Sequence, residues 1–351
     1  MTIDFVPQMV LAVHQTVVTD HLGAFRLSSH LFDVIAANHC SQSSPGNGGF
    51  ILKKVLSVSL GSSTRDHTTE AEFLGQRFWL SRQGTDGDSE KYIQMYKEYD
   101  GKVDAFGVGG TEFYLSVNNR RYWFRESKHI RRAIKISKVG DGNGIKHLLA
   151  PYALQALREH GIELRGKKAL LTTAVDRYGM AKALVDSGCE VTFGDFMFAL
   201  GLPIPLHSLR TVHVVAALLL PVMTQLPFRW LYPLGEEQEK EPSKKYSRFY
   251  EEADIIAGDF LQVWSNLPDD LSGKIIITNT TTARNVEELR KRNLHILVTT
   301  TPRLEGRSFG TNVMEAVCRS LVDKPDDQIT SEDFIDLIER IPLKPQVCVS
   351  N

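Results

Sequence analysis

Two rhythms of apolar and polar positions run along this chain, and one gives way to the other near residue 140. Between 53 and 138 the pattern is mixed. The stretch "LKKVLSVSL" (52–60) reads as a strand, and "TTEAEFL" and "RFWLSRQ" read as two strands of a hairpin around Gly75–Gln76. Apolar residues at 93, 96 and 99, closed by Gly101, predict a helix over 88–101. A strand over 102–110 ends in glycines, "EFYLSV-NN-RRYWFR" reads as a second hairpin, and "ESKHIRRAIKI" as a short helix.

From 167 onward, short apolar strands alternate with helices. The strands are expected at 167–174, 189–195, 254–260, 273–280 and 294–302, and the helices at 178–187, 206–224, 285–293 and 309–322. Such alternation predicts a parallel sheet covered on both faces, with ligands at the carboxyl ends of its strands. The expected fold is therefore α/β: a Rossmann-like parallel-sheet domain preceded by a smaller mixed α/β domain. Residues 1–51 follow neither rhythm, contain the linker-like "HCSQSSPGNGG", and are expected to be a poorly ordered extension. The remaining boundaries fall at 52–139, 140–165 (a hinge and linking helix), 166–322, and 323–351, one amphipathic helix with a loose end.

Composition narrows the class. The chain has 351 residues, 42% hydrophobic and 24% charged, with a net charge of −1, as in an ordinary soluble domain pair. A near-neutral chain has no general pull toward nucleic acid or anionic membrane, so neither is expected as a partner. Cys40, Cys189, Cys318 and Cys348 lie far apart, which fits neither a zinc site nor a disulfide framework and favours a reducing cytoplasm. The most apolar run, Val212–Met223, contains Pro221 and falls short of the roughly 20 residues a membrane span needs. No metal is expected, and a homodimer stays open.

The candidate chemistry sits at strand ends and at the domain crossing. In "ALLTTAVDRYGMAKALVDSGCEVTFGD", Asp195 closes the second strand, where an acidic side chain accepts hydrogen bonds from the ribose of NAD and repels the extra phosphate of NADP. A surface aspartate capping the next turn is the alternative. The preceding turn, with Thr173 and Ala174, has a single glycine, Gly179, where a dinucleotide fold wants several. Gly258, Thr278, Asn279 and Thr280 stand at later strand ends, where a nicotinamide would lie, or where the threonines cap a helix. The glycine-rich "GDGNG" (140–144) marks an interdomain crossing, and its Asp141 either holds a substrate hydroxyl in the cleft or belongs to a simple Asp-Gly turn.

Residues 140–195 resemble the hinge and first βαβ unit of shikimate/quinate 5-dehydrogenases. The chain from about 53 to 322, with "SVSLGSSTRDH", "GTDGD" and "TNTTT", is similar to a bacterial group described as quinate 5-dehydrogenase. The resemblance implies NAD-dependent oxidation of quinate, shikimate or a related cyclic polyol acid. Asp141 would then be the catalytic aspartate, with Lys146 one helical turn beyond it. Ser62, Ser63 and Asn312 would hold the substrate. Two rival readings stand beside it: a non-catalytic small-ligand binder on a dehydrogenase-like scaffold, and an ATP-binding actin- or ribonuclease-H-like protein, for which "LGSSTRDH" would be the phosphate turn.

Overall fold

β1 (Lys53–Ser59) is the buried centre of the first sheet, with parallel neighbours on both sides, β3 (Gln76–Gly84) and β4 (Ala105–Gly109). β2 (His67–Phe73) joins β3 antiparallel through Leu74–Gly75, both at positive φ (53° and 78°), one position before the expected turn. β7 (Lys138–Gly140) completes the order β2-β3-β1-β4-β7. The computed structural model describes residues 51–228, 245–304, 307–341 and 345–349, all within the unit Phe50–Asn351. Apart from Ile51, the expected extension lies outside these residues.

α1 (Ser89–Tyr99) starts where Asp88 accepts the Glu90 and Lys91 amides, and it buries Tyr92 and Tyr96 against the sheet. The second hairpin, β5 (Tyr114–Val117) and β6 (Arg120–Trp123), turns at Asn118 and Asn119, both at positive φ (48° and 63°). Asparagine tolerates that conformation, and the turn matches the right-handed twist of its strands. α2 (Ser127–Ala133) follows.

The crossing helix α3 (Asn143–Glu159) runs unbroken through Pro151, where the sequence suggests a kink or restart. Proline removes the amide that would bind the His147 carbonyl. Gly179 of the neighbouring helix packs at that point, so close that a Cβ there would come within 2.8 Å of the His147 oxygen.

The second sheet has the order β15-β12-β11-β10-β8-β9. β8 (Lys168–Leu171), β9 (Glu190–Phe193), β10 (Ile255–Ala257), β11 (Ile275–Thr278) and β12 (Ile296–Thr299) are parallel. α4 (Tyr178–Asp186), α5 (Asp195–Leu200), α6 (Leu209–Met223), α7 (Ser247–Glu252), α8 (Phe260–Trp264) and α9 (Ala283–Lys291) connect them. The strand order reverses between β8 and β10, the crevice where such sheets receive ligands. A ribbon of β13 (Arg303–Leu304) and β14 (Arg307–Ser308) precedes the last helices. The tail is not loose: β15 (Gln346–Val349) adds an antiparallel edge strand to β12. Among the described residues no helix is long and apolar enough to cross a membrane.

α10 (Thr311–Leu321) departs most from expectation. Its position in the sequence places it with the second domain, yet it lies across β4, β7 and β1 of the first sheet, and α11 (Ser331–Arg340) joins the same core. Glycines make room for it. A Cβ at Gly107 would meet the Asn312 side chain at 3.0 Å, and one at Gly140 would meet the Ala316 amide at 3.0 Å. Lys53 and Lys138 donate to the carbonyls of Ser320, Arg319 and Val322 at its C-terminus, the favourable end of a helix for cations. The fully buried Glu315 of α10 accepts the Gly142 and Gly144 amides at 2.8 and 2.9 Å and pairs with Arg319 at 2.7 Å.

Glu315→Ala should leave the Gly142 and Gly144 amides without their acceptor and Arg319 with Asp326 alone, and cost about 3 kcal/mol, read as a lower urea midpoint. Glu315→Gln keeps an acceptor oxygen and should cost clearly less. An alanine variant as stable as the parent would show that this carboxylate does not hold the crossing.

Candidate functional site

A cavity of about 220 Å³ opens between the carboxyl ends of the two sheets, beside the crossing. Its first wall comes from β1. Ser57 and Ser59, two residues apart, project from one face of the strand and line the cavity. Ser57 Oγ accepts from Asn312 Nδ2 at 2.8 Å, and Ser59 Oγ accepts from Arg82 Nη2 at 3.0 Å. Gly109 leaves the space Ser59 needs, since a Cβ there would lie 2.8 Å from the serine Cβ. Arg65 stands on the same side. The first turn of α10 completes this end, with Gly310 as an N-cap that supplies no side-chain acceptor. Its leading amides and helix dipole favour an anion.

The opposite end is a knot of charges. Lys146, 7% exposed, donates to Glu112 at 2.5 Å and to Asp176 at 2.7 Å. Arg177 lies 3.5 Å from Asp176 and 3.3 Å from Asp259. Burial, then the neighbouring Asp176, push the Glu112 carboxyl well above its usual range. Burial would push Asp176 up as well, but the Lys146 ammonium and the Arg177 guanidinium carry it well below the carboxylate range. Burial and the shared Lys146 ammonium thus push the two carboxyls in opposite directions. Burial and the Lys146 charge hold His147, the next residue, down to about 4. Its Nδ1 accepts the Gly179 amide at 3.1 Å.

Several expected site residues meet in this cavity. Asp141, Lys146, Asn279, Thr280 and Asn312 all line it. Asp141 is already engaged: its carboxylate accepts the Phe113 amide at 2.7 Å, the Asn143 amide at 3.0 Å and Asn143 Nδ2 at 2.8 Å. Ser62 and Ser63 miss the cavity lining. Ser62 caps a short 3-10 turn through the Thr64 amide, and the Ser63 amide donates to Asp86. Ser57 and Ser59 line the wall instead. Their spacing on a strand, with glycines at its neighbour's end, is the signal that could have found them.

The expected dinucleotide residues are otherwise occupied. Asp195 is 5% exposed and outside the main cavity; one oxygen accepts the Val175 amide at 2.9 Å and the other is buried without a partner. The Thr172 and Thr173 hydroxyls donate to Gln262. The Arg177 amide goes to the Thr173 carbonyl and that of Gly179 to His147. The Thr172 and Thr173 hydroxyls and the Val175, Arg177 and Gly179 amides thus point inward, and these residues do not fit the pyrophosphate and ribose of NAD. Ala174 is fully buried in the core. Gly258 is a packing residue, because a Cβ there would lie 2.1 Å from Thr172 Oγ1; Thr278 Oγ1 donates to its carbonyl at 3.0 Å. Among the described residues no group of three or more His, Cys, Asp or Glu side chains is placed to hold a metal ion.

A family described as Domain of unknown function (DUF8754) matches residues 144–349, and one described as Domain of unknown function (DUF8753) matches residues 54–141. No curated protein matches the chain. The similar solved structures include a galactofuranose binding protein, 12% identical, covering 85% of this chain and 94% of that one at a TM-score of 0.32. Another is a 5-methylthioribose transporter solute binding protein from Thermotoga lettingae, 10% identical, covering 84% and 85% at 0.35. A third, described as a dehydrogenase from Rhizobium meliloti, is 10% identical and covers 64% and 61% at 0.20. Likenesses this distant carry no argument about the site.

The turn's use of Asp195 can be tested by pH. Burial pushes the Asp195 carboxyl up to about 6 against the pull of the amides it accepts. The unfolded chain ionises first, so this contribution to stability is present below pH 3.8 and is lost as pH rises through 6. Asp195→Asn keeps an acceptor for Val175 and should stabilise the fold at pH 8 by about 3 kcal/mol, with the gain vanishing at acid pH. A urea midpoint that falls at pH 8 would sink this account.

Proposed function

We propose, for a chain that belongs to the family described as Domain of unknown function (DUF8754), that it binds a small polyhydroxylated anion in the cleft between its two sheets. The observation that carries this reading is the polarity of the cavity. Arg65 and the first turn of α10 favour a carboxylate, with Arg82 beside them paired to Asp66 at 2.7 Å. Asn279 and Thr280, the latter beside Gly310, and the Glu112–Lys146–Asp176 knot supply donors and acceptors for hydroxyls. A cyclic polyol acid of the quinate or shikimate class has both features.

A second reading keeps the same ligand and adds its oxidation. It is favoured by Asp141 and Lys146 sharing the cavity wall. It is opposed by the turn, whose Val175 and Gly179 amides are taken by Asp195 and His147, and by the burial of Asp195 away from the cavity. We therefore favour the binding reading and route no step through NAD.

Thermal shift separates the two. A ligand at 100 times its dissociation constant stabilises by about 2.7 kcal/mol, or roughly 5 °C for a unit of this size. Quinate or shikimate should produce such a shift, an uncharged cyclitol a much smaller one, and NAD none. Arg65→Ala should remove the hydroxy-acid shift while leaving the circular dichroism spectrum unchanged. Failure of every hydroxy acid to shift the midpoint would overturn the binding reading, and a shift with NAD alone would restore the oxidoreductase.

A further inference from the structure

The whole-chain charge of −1 hides a local imbalance. Between residues 120 and 135 there are seven Arg and Lys and one Glu. All seven cations are exposed: Arg120 and Arg121 on β6, Arg125 after it, Lys128, Arg131 and Arg132 on α2, and Lys135 beyond. Glu126, the one acid, accepts the Phe228 amide instead. Among the described residues, none of the seven is paired with a carboxylate. None of them lines the cavity, so α2 and the β5–β6 hairpin present a basic face that the cleft does not use.

Three guanidiniums of the patch lie against aromatic rings. Arg121 lies 4.8 Å over Tyr114 and Arg131 4.9 Å over Trp123 on the outward side of the hairpin, and Arg120 lies 4.9 Å over Tyr122 at its other side. The Tyr114 and Trp123 rings themselves lie 4.9 Å apart. A ring-backed guanidinium loses little freedom on binding, and its fork matches a phosphate bidentately. Its outer plane is also free to stack on a base, which only an unpaired base can accept. An anionic lipid surface asks for apolar side chains that enter it. Here Trp123 is clasped between Tyr114 and Arg131. Among the described residues that leaves Ile136, 77% exposed, as the large apolar side chain free beside the patch.

We propose that this face binds single-stranded nucleic acid through its phosphates, with the ring-backed arginines stacking on unpaired bases. The partner differs from the one expected from net charge, because averaging over the chain cancels the patch against acids elsewhere. The site is separate from the cavity, so it stands or falls independently of the hydroxy-acid reading.

Fluorescence anisotropy with a labelled oligothymidylate of about twenty nucleotides tests it on the full chain. With about five phosphates neutralised, affinity should fall on the order of 100-fold between 50 and 200 mM salt. The double variants Arg120→Glu/Arg121→Glu and Arg131→Glu/Arg132→Glu should each weaken binding at least tenfold. Arg248→Glu, an exposed arginine elsewhere, should change nothing. Circular dichroism checks that each variant is folded, and if the hairpin variant is not, the helix variant decides. Absence of binding at 50 mM salt, equal binding to a duplex or to phosphatidylserine vesicles, or an equal loss with Arg248→Glu would each overturn the proposal.

Discussion

The arrangement of the two sheets depends on one buried carboxylate. Glu315 reaches from α10 to the amides of Gly142 and Gly144, at the point where the chain leaves the first sheet for the second. A fully buried charge is costly unless each oxygen is satisfied. Here one oxygen takes both amides and the other takes Arg319, itself held by Asp326. Burial pushes the Glu315 carboxyl up, and the Arg319 guanidinium opposes this. The contact also explains why glycines gather at 140–144. Cβ atoms at Gly142 and Gly144 would fall 2.6 Å from Thr311 Oγ1 and 2.6 Å from the Phe334 ring. The segment is less a flexible joint than a close-packed seam beneath a helix.

That seam sets the cavity. Because α10 lies on the first sheet, its N-terminal turn points into the space between the sheets, alongside Ser57 through Asn312. Because α3 starts at the seam, Lys146 falls between Glu112 of the first sheet's loop and Asp176 of the second sheet's turn. The two ends of the cavity differ in charge for these reasons. The basic face of β6 and α2 arises separately, from a local run of arginines that a hairpin and a short helix align.

Much of the architecture is legible along the chain. The alternating strands and helices after 167, both hairpins, and the placement of Asp141, Asn279 and Thr280 at the cleft follow from local pattern and position, while Lys146 and Asn312 are implied by the family resemblance. The misses share a cause. Asp195 stands at the right strand end, but whether it faces a ribose or its own turn depends on amides twenty residues away. Serine content points to Ser62 and Ser63, whereas strand facing selects Ser57 and Ser59 for the wall. Net charge conceals the arginine face because it sums over a length that surface electrostatics does not.

By itself the sequence determined where strands and helices form, which faces are apolar, and that the second half builds a parallel sheet. Those properties come from periodicities of two and 3.6 residues, which act over a few neighbours. Only the tertiary structure decided which glycines are contact points, that α10 belongs to the first sheet, and which carboxylates share Lys146. These pairings join residues 30 to more than 170 positions apart. Close packing and the cost of an unpaired buried charge select such partners, and neither leaves a mark in local sequence.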